Sequence, residues 1–184
     1  MLSDHQLIDL AKRMAVPLES VSFKDELPST LKYNVGYIIN MENQLDDKGQ
    51  PNDGSHWCAF QIQKGTDGIA MPLYFDPFGV GPPQSVSAAV EKFCGKKMPH
   101  TSKDVQNLVA SCCGYYCEAF LYYLNCIPFR TGHIYADGQS FCDMFLDLNV
   151  SHDFKHNEFI LKNFFRSSDP ADRSPVDIGE ITNF

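Results

Sequence analysis

No stretch of this 184-residue chain approaches the eighteen or more apolar residues of a membrane-spanning helix, and 15 Lys and Arg face 23 Asp and Glu. The first absence excludes a helical membrane span. The second leaves a formal net charge of -8 and argues against a broad grip on DNA or an anionic membrane, which needs clustered Lys and Arg. The densest basic group, Lys92, Lys96, Lys97, His100 and Lys103, reads as a solvated helix end and loop. A secretory signal is not evident, because Asp4, His5, Asp9, Lys12 and Arg13 interrupt the apolar pattern of the N-terminus. The seven cysteines are an odd number, Cys112 and Cys113 are adjacent, and none form the paired Cys-x-x-Cys spacing of zinc sites. This pattern fits reduced thiols in an intracellular setting better than a secreted disulfide framework. The sequon Asn149-Val150-Ser151 and the internal Lys24-Asp25-Glu26-Leu27 are then chance matches. Internal repeats and low-complexity tracts are also missing.

What is present suits a globular α+β chain. The hydrophobic content of 43% against 21% charged residues supports a core without a disulfide or metal staple, and the length fits one domain over residues 1–184. Leu2, Leu7, Leu10, Ala11 and Met14 follow helical spacing behind Ser3, a candidate cap, and Pro17 ends the helix. Residues 18–32 read as irregular, 33–41 as a strand and 42–55 as an acidic loop. Residues 56–63 and 69–76 alternate as two strands around a glycine-containing loop. Symmetric pairing about Thr66 sets His56 opposite Asp76. A weaker helix covers 85–93. From Gly114 a long buried helix carries Cys113, Tyr116, Cys117, Phe120, Leu121 and Leu124 on one stripe, with little polar surface beyond Glu118. Helices are also expected over 140–148 and 152–165. Residues 167–184, rich in Ser, Asp and Pro, read as a tail docked on the body.

Thiol hydrolysis needs a thiolate near a histidine, a group that fixes the imidazole, and donors for an oxyanion. Cys113 stands at a loop-to-helix junction, where the positive end of a helix dipole favours the thiolate. Gly114 after it lets a substrate backbone approach, and the Cys113 amide can point into an oxyanion hole. Cys112 is the competing nucleophile, but a residue about a hundred degrees away around the helix faces elsewhere. His56 is the base, Asp76 its orienting carboxylate, and Gln106, seven residues before Cys113, a side-chain oxyanion donor.

The segments Gly54-Ser55-His56-Trp57, Tyr74-Phe75-Asp76-Pro77-Phe78-Gly79, Gln106 and Ser111-Cys112-Cys113-Gly114-Tyr115-Tyr116-Cys117 resemble the adenovirus-type cysteine endopeptidases and the related SUMO-protease superfamily. Within it the likeness is greatest to capsid-maturation proteases of virophages, Polinton-type elements and large DNA viruses. The resemblance implies a papain-like, adenain-like fold, with a central buried helix carrying the nucleophile on a mixed or antiparallel sheet. It further implies a cysteine endopeptidase that cleaves viral capsid precursors at Gly-Gly or Gly-X sites, in the virion and the infected cell's cytoplasm or virus factory. Trp57 is then expected to wall a narrow substrate cleft, with Asn34 and Gly36 on its far side. The acid is Asp76 where adenoviral enzymes usually carry Glu. Their DNA and disulfide-linked peptide activators find no support in this acidic chain, so the expectation is a monomer without metal or cofactor and with no known peptide activator. The alternatives are a SUMO or ubiquitin-like modifier protease using the same residues, and a metal-binding or interaction protein using Cys112, Cys113, Cys117, Cys126 and His133.

Overall fold

Ser3 and Gln6 close the first turn of the chain on each other. The Ser3 hydroxyl accepts from the Gln6 amide at 3.2 Å, and the Gln6 side chain accepts from the Ser3 amide at 2.8 Å. This capping box starts helix α1 (Asp4–Arg13), which buries Leu7, Leu10 and Ala11. The computed structural model describes residues 1–168 apart from Val109 and Phe129. Most of the expected tail, residues 169–184, lies outside the described residues.

Four strands follow: β1 (Leu18–Phe23), β2 (Gly36–Asn40), β3 (Trp57–Lys64) and β4 (Ala70–Phe75), in sheet order β1-β2-β3-β4. The β1–β2 pair is parallel and the other two pairs are antiparallel, so the sheet is mixed. The sequence reading missed β1. Its residues are half-buried throughout, and a register shift between Leu18 and Ser20 breaks the two-residue period at its start. The β3–β4 hairpin is centred on Asp67 rather than Thr66, as the Lys64–Ala70 pair shows. Its loop is closed by the Gly65 amide bonding Ile69 O at 3.3 Å, with Gly68 at φ +77°, where glycine carries no steric penalty.

Both sheet faces are covered. One carries Ile38, Trp57, Ala59, Leu73 and Phe75 against the helices, and the other carries Tyr37, Ile39, Cys58, Phe60, Ile62 and Tyr74. Val86 and Val90 of α2 (Gln84–Cys94) pack on the second face. The first face meets α3 (Cys113–Cys126), the central buried helix. Phe120 stacks on Phe75 with ring centroids 4.6 Å apart, a contact of the kind that adds about 1 kcal/mol beyond area burial. Gly36 lets the helix approach, since a Cβ there would stand 2.6 Å from Leu121 Cδ1. Asn125 and Gln61 exchange two amide hydrogen bonds, 2.8 and 3.2 Å long, that tie the far end of α3 to β3. Glu118, read as surface, is instead fully buried.

Helix α4 (Ile134–Asp143) begins earlier than the 140–148 expected. The buried Asp137 carboxylate accepts from Thr131 N at 2.6 Å and Gly132 N at 3.1 Å, which fixes the entry turn. The Asn157 side chain, on α5 (Phe154–Ser168), holds both the N–H and the C=O of Leu146 in a loop. Among the described residues no helix is long and apolar enough to cross a membrane.

Candidate active site

The loop before β3 delivers His56 to the end of the sheet. The buried Asn40 side chain accepts from the Ser55 amide at 3.2 Å, and the His56 carbonyl accepts from Met41 N at 2.9 Å. Gly54, at φ +77°, packs over Asn40, where a Cβ would meet Nδ2 at 2.3 Å. Small residues before His56 are therefore a packing requirement.

His56 Nε2 lies 2.8 Å from Asp76 Oδ1, and Asp76 is 2% exposed. The same Oδ1 accepts from Phe78 N at 2.8 Å. The Phe78 ring stacks on the imidazole with centroids 4.5 Å apart. Gly79 completes the turn at φ +70°, donating to Asp76 O at 2.8 Å. A Cβ on it would be 2.6 Å from Ser102 O, so the Pro-Phe-Gly sequence has a physical reason at each position. Pro77 supplies the carbonyl that accepts from Val105 N at 2.8 Å and Gln106 N at 3.2 Å. One turn thus holds the acid, the face of the histidine ring and the backbone of Gln106.

With Nε2 engaged by Asp76, Nδ1 is left for sulfur. The thiols of Cys113 and Cys58 are the neighbours that favour the charged imidazole beside Asp76. Burial alone disfavours the charged imidazole. Asp76, Cys113 and Cys58 outweigh it and push the group up to about 12. Cys113 is the first residue of α3, and Cys112, its N-cap, gives no side-chain cap. The first-turn amides and the positive helix end are therefore directed at the thiol and whatever it binds. Cys112 is itself buried, and burial pushes its thiol up to about 12. Cys117 is fully buried and donates to Trp57 O at 3.3 Å, a structural tie between α3 and β3.

Gln106 is 3% exposed. Its Nε2 donates to Ala110 O at 2.8 Å, and its Oε1 has no partner among the described residues. The amide still holds a second N–H, and it borders a cavity of about 350 Å³ with Asp104, Leu108 and Phe154. Trp57 borders another cavity, of about 480 Å³, together with Leu2, Val21, Phe23 and Asn40; neither His56 nor Cys113 is among its lining residues. The Trp57 indole donates to Leu2 O at 2.9 Å.

Three of the expected cleft residues stand elsewhere. Asn34, at φ +61°, accepts from Lys64 N at 2.8 Å, at the end of β3 opposite His56. Gly36 is covered by Leu121, further along α3. Gly114 faces the N-terminal helix, where a Cβ would meet Leu7 at 2.9 Å and Leu2 at 3.3 Å, so its missing side chain makes room for the protein itself. The set Cys112, Cys113, Cys117, Cys126 and His133 is not brought together. Among the described residues, the group with metal-compatible spacing is His56, Cys58 and Asp76. Phe78 and Cys58 were missed in the sequence. Phe78 was legible as the ring after the acid, and Cys58 as the residue two positions from His56 on the same strand face.

No protein-family model matches the sequence, and no curated protein does. Solved structures with similarity include two of the ASFV protease. One has 15% identity over 86% of this chain and 63% of its own, with a TM-score of 0.44; the selenomethionine form has 16% identity over 69% and 42%, with a TM-score of 0.36. A third, HopZ1a in complex with IP6, has 12% identity over 84% and 49%, with a TM-score of 0.42. The chain thus spans between 42% and 63% of the length of these three structures.

Proposed function

We propose that this chain is a cysteine endopeptidase, with Cys113 as nucleophile, His56 as its proton partner and Asp76 holding the imidazole. The observation that carries the reading is the 2.8 Å pair of His56 Nε2 with the buried Asp76 carboxylate, with Cys113 near enough to the imidazole to favour its charged form. Cys113 sulfur attacks the scissile carbonyl carbon, and the negative charge gathers on the carbonyl oxygen. The Cys113 amide and the free N–H of Gln106 Nε2 are the donors for that oxygen. His56 then gives its proton to the leaving amine, leaving a thioester on Cys113. It next takes a proton from the water that hydrolyses the thioester. Asp76 and the Phe78 ring keep the imidazole aligned through both transfers.

The finer reading rests on the sequence resemblance stated above. It makes the substrate a viral capsid or virion precursor, cut at a Gly-Gly or Gly-X junction inside the assembling particle or infected cell. In that reading Trp57, next to His56 in the chain, walls the path of the extended polypeptide.

Cleavage of Gly-Gly precursor-junction peptides by the full chain tests both levels. Turnover should vanish in Cys113→Ala and persist in Cys112→Ala, with iodoacetamide trapped on Cys113. Undiminished hydrolysis by Cys113→Ala would remove the assignment. Faster turnover of a SUMO-tail or ubiquitin-tail substrate than of every precursor junction would move the function to the modifier proteases.

A further inference from the structure

Cys58 is the member of this cluster that peptide hydrolysis leaves without a task. It is fully buried on β3, with His56 and Tyr74 beside its thiol. Extending the hairpin ladder one step past the Ala59–Phe75 pair puts it across from Asp76. His56 lies two residues before it, on the same side of the strand. The sheet therefore gathers an imidazole, a thiol and a carboxylate, and one ligand atom from each lies within 4.8 Å of the others.

The geometry points to a divalent-metal site formed by His56, Cys58 and Asp76, selective for a thiophilic ion of the Zn²⁺ class. Tetrahedral zinc with bonds of about 2.0 to 2.3 Å sets its ligand atoms roughly 3.5 Å apart, so the side chains need to shift by about an ångström at most. The His56–Asp76 pair opens slightly from 2.8 Å while Cys58 closes in. Charge also fits. A dication with one thiolate, one carboxylate and a neutral imidazole is neutral overall, as a largely buried site requires. The Cys58 thiol proton and the proton shared by His56 and Asp76 leave to solvent as the ion enters. An outer partner is already in place, since Phe78 N–H donates to Asp76 Oδ1. The thiolate favours Zn²⁺ over Mg²⁺ or Ca²⁺. His56 is the most accessible of the three, its side chain 14% exposed.

Metal binding stands or falls apart from peptide hydrolysis. If both hold, they exclude each other, because His56 cannot bind the ion and serve Cys113 together. The ion would then keep the enzyme silent until a chelator or a competing protein removes it.

The test uses the full chain carrying Cys113→Ala, Cys94→Ser and Cys126→Ser, so that the nucleophile and the more exposed thiols cannot supply ligands. Zn²⁺ is titrated by calorimetry, and Co²⁺ is followed by absorption. The expected result is one equivalent of metal with a thiolate-to-cobalt charge-transfer band. Cys58→Ser and Asp76→Asn, checked for fold by circular dichroism, should each weaken binding by roughly tenfold or more, and Cys58→Ser should erase the band. Absence of saturable binding, absence of the band in the parent, or unchanged affinity in Cys58→Ser overturns the site. Should Cys58→Ser fail to fold, the parent's cobalt spectrum decides alone.

Discussion

His56 and Asp76 meet diagonally across the hairpin, Nε2 to Oδ1 at 2.8 Å, with Asp76 one step beyond the last paired residues, Ala59 and Phe75. The contact therefore depends on His56 standing just beyond the strand end, where its ring turns back under Phe78.

That contact sets a pH dependence. The folded-state His56 is raised to about 12 from its ordinary 6.5, so its charged form contributes stability below pH 6.5 that is lost as pH climbs through 12. Activity requiring the imidazolium should hold well above neutral pH. Asp76→Asn removes the largest upward influence, and the alkaline limb of the kcat/KM profile should move down by more than about one pH unit. A limb that stays in place would show that Asp76 does not govern the imidazole.

Gln106→Ala should lower kcat by roughly ten- to a thousandfold with a small change in KM, as loss of an oxyanion donor does. Because its amide also anchors Ala110 O, a thermal melt of the variant separates chemistry from loop support. A KM effect alone would make Gln106 a binding residue.

Gly79 and Gly49 share a positive φ, +70° and +73°, but differ in surroundings. A Cβ on Gly49 meets nothing within 4 Å, whereas one on Gly79 strikes Ser102 backbone. Gly49→Ala should cost about 1 kcal/mol of backbone strain. Gly79→Ala should cost more in urea denaturation and also reduce turnover, since the turn it closes holds Asp76 and Phe78. Equal costs would mean that the Ser102 loop yields freely.

Glu118 is fully buried, both carboxylate oxygens lack partners among the described residues, and burial pushes it up to about 8. The folded protein then holds a proton that the unfolded chain gives up near 4.5. Stability should fall between pH 5 and 8 by roughly 1.4 kcal/mol per unit from this group. Glu118→Gln should flatten that slope in urea midpoints measured across the range. An unchanged slope would place the pH sensitivity elsewhere.

The sequence revealed the site's participants better than its walls. Chain alternation and the hairpin loop were enough to pair His56 with Asp76, even though the true centre, Asp67, lies one residue past the expected Thr66. Helix α3 was visible because its apolar residues are dense. The cleft was not, because it is built by contacts distant in sequence. Asn34 turns away through a left-handed backbone that no residue pattern advertises, and Gly114 serves Leu2 and Leu7, over a hundred positions earlier. Glu118 was taken for surface because a carboxylate in an apolar stripe is ordinarily the solvent-facing member.

Trp57 is the chain's single tryptophan, and it adjoins His56, borders the cavity of about 480 Å³ and donates its indole N–H to Leu2 O. Emission excited selectively from tryptophan therefore originates at one residue, next to His56 in the chain. Detachment of the N-terminal helix would expose the indole to water and shift its spectrum to the red, and a ligand entering that cavity would alter its intensity. The wild-type molecule thus carries its own optical probe, suited to stopped-flow work without a label.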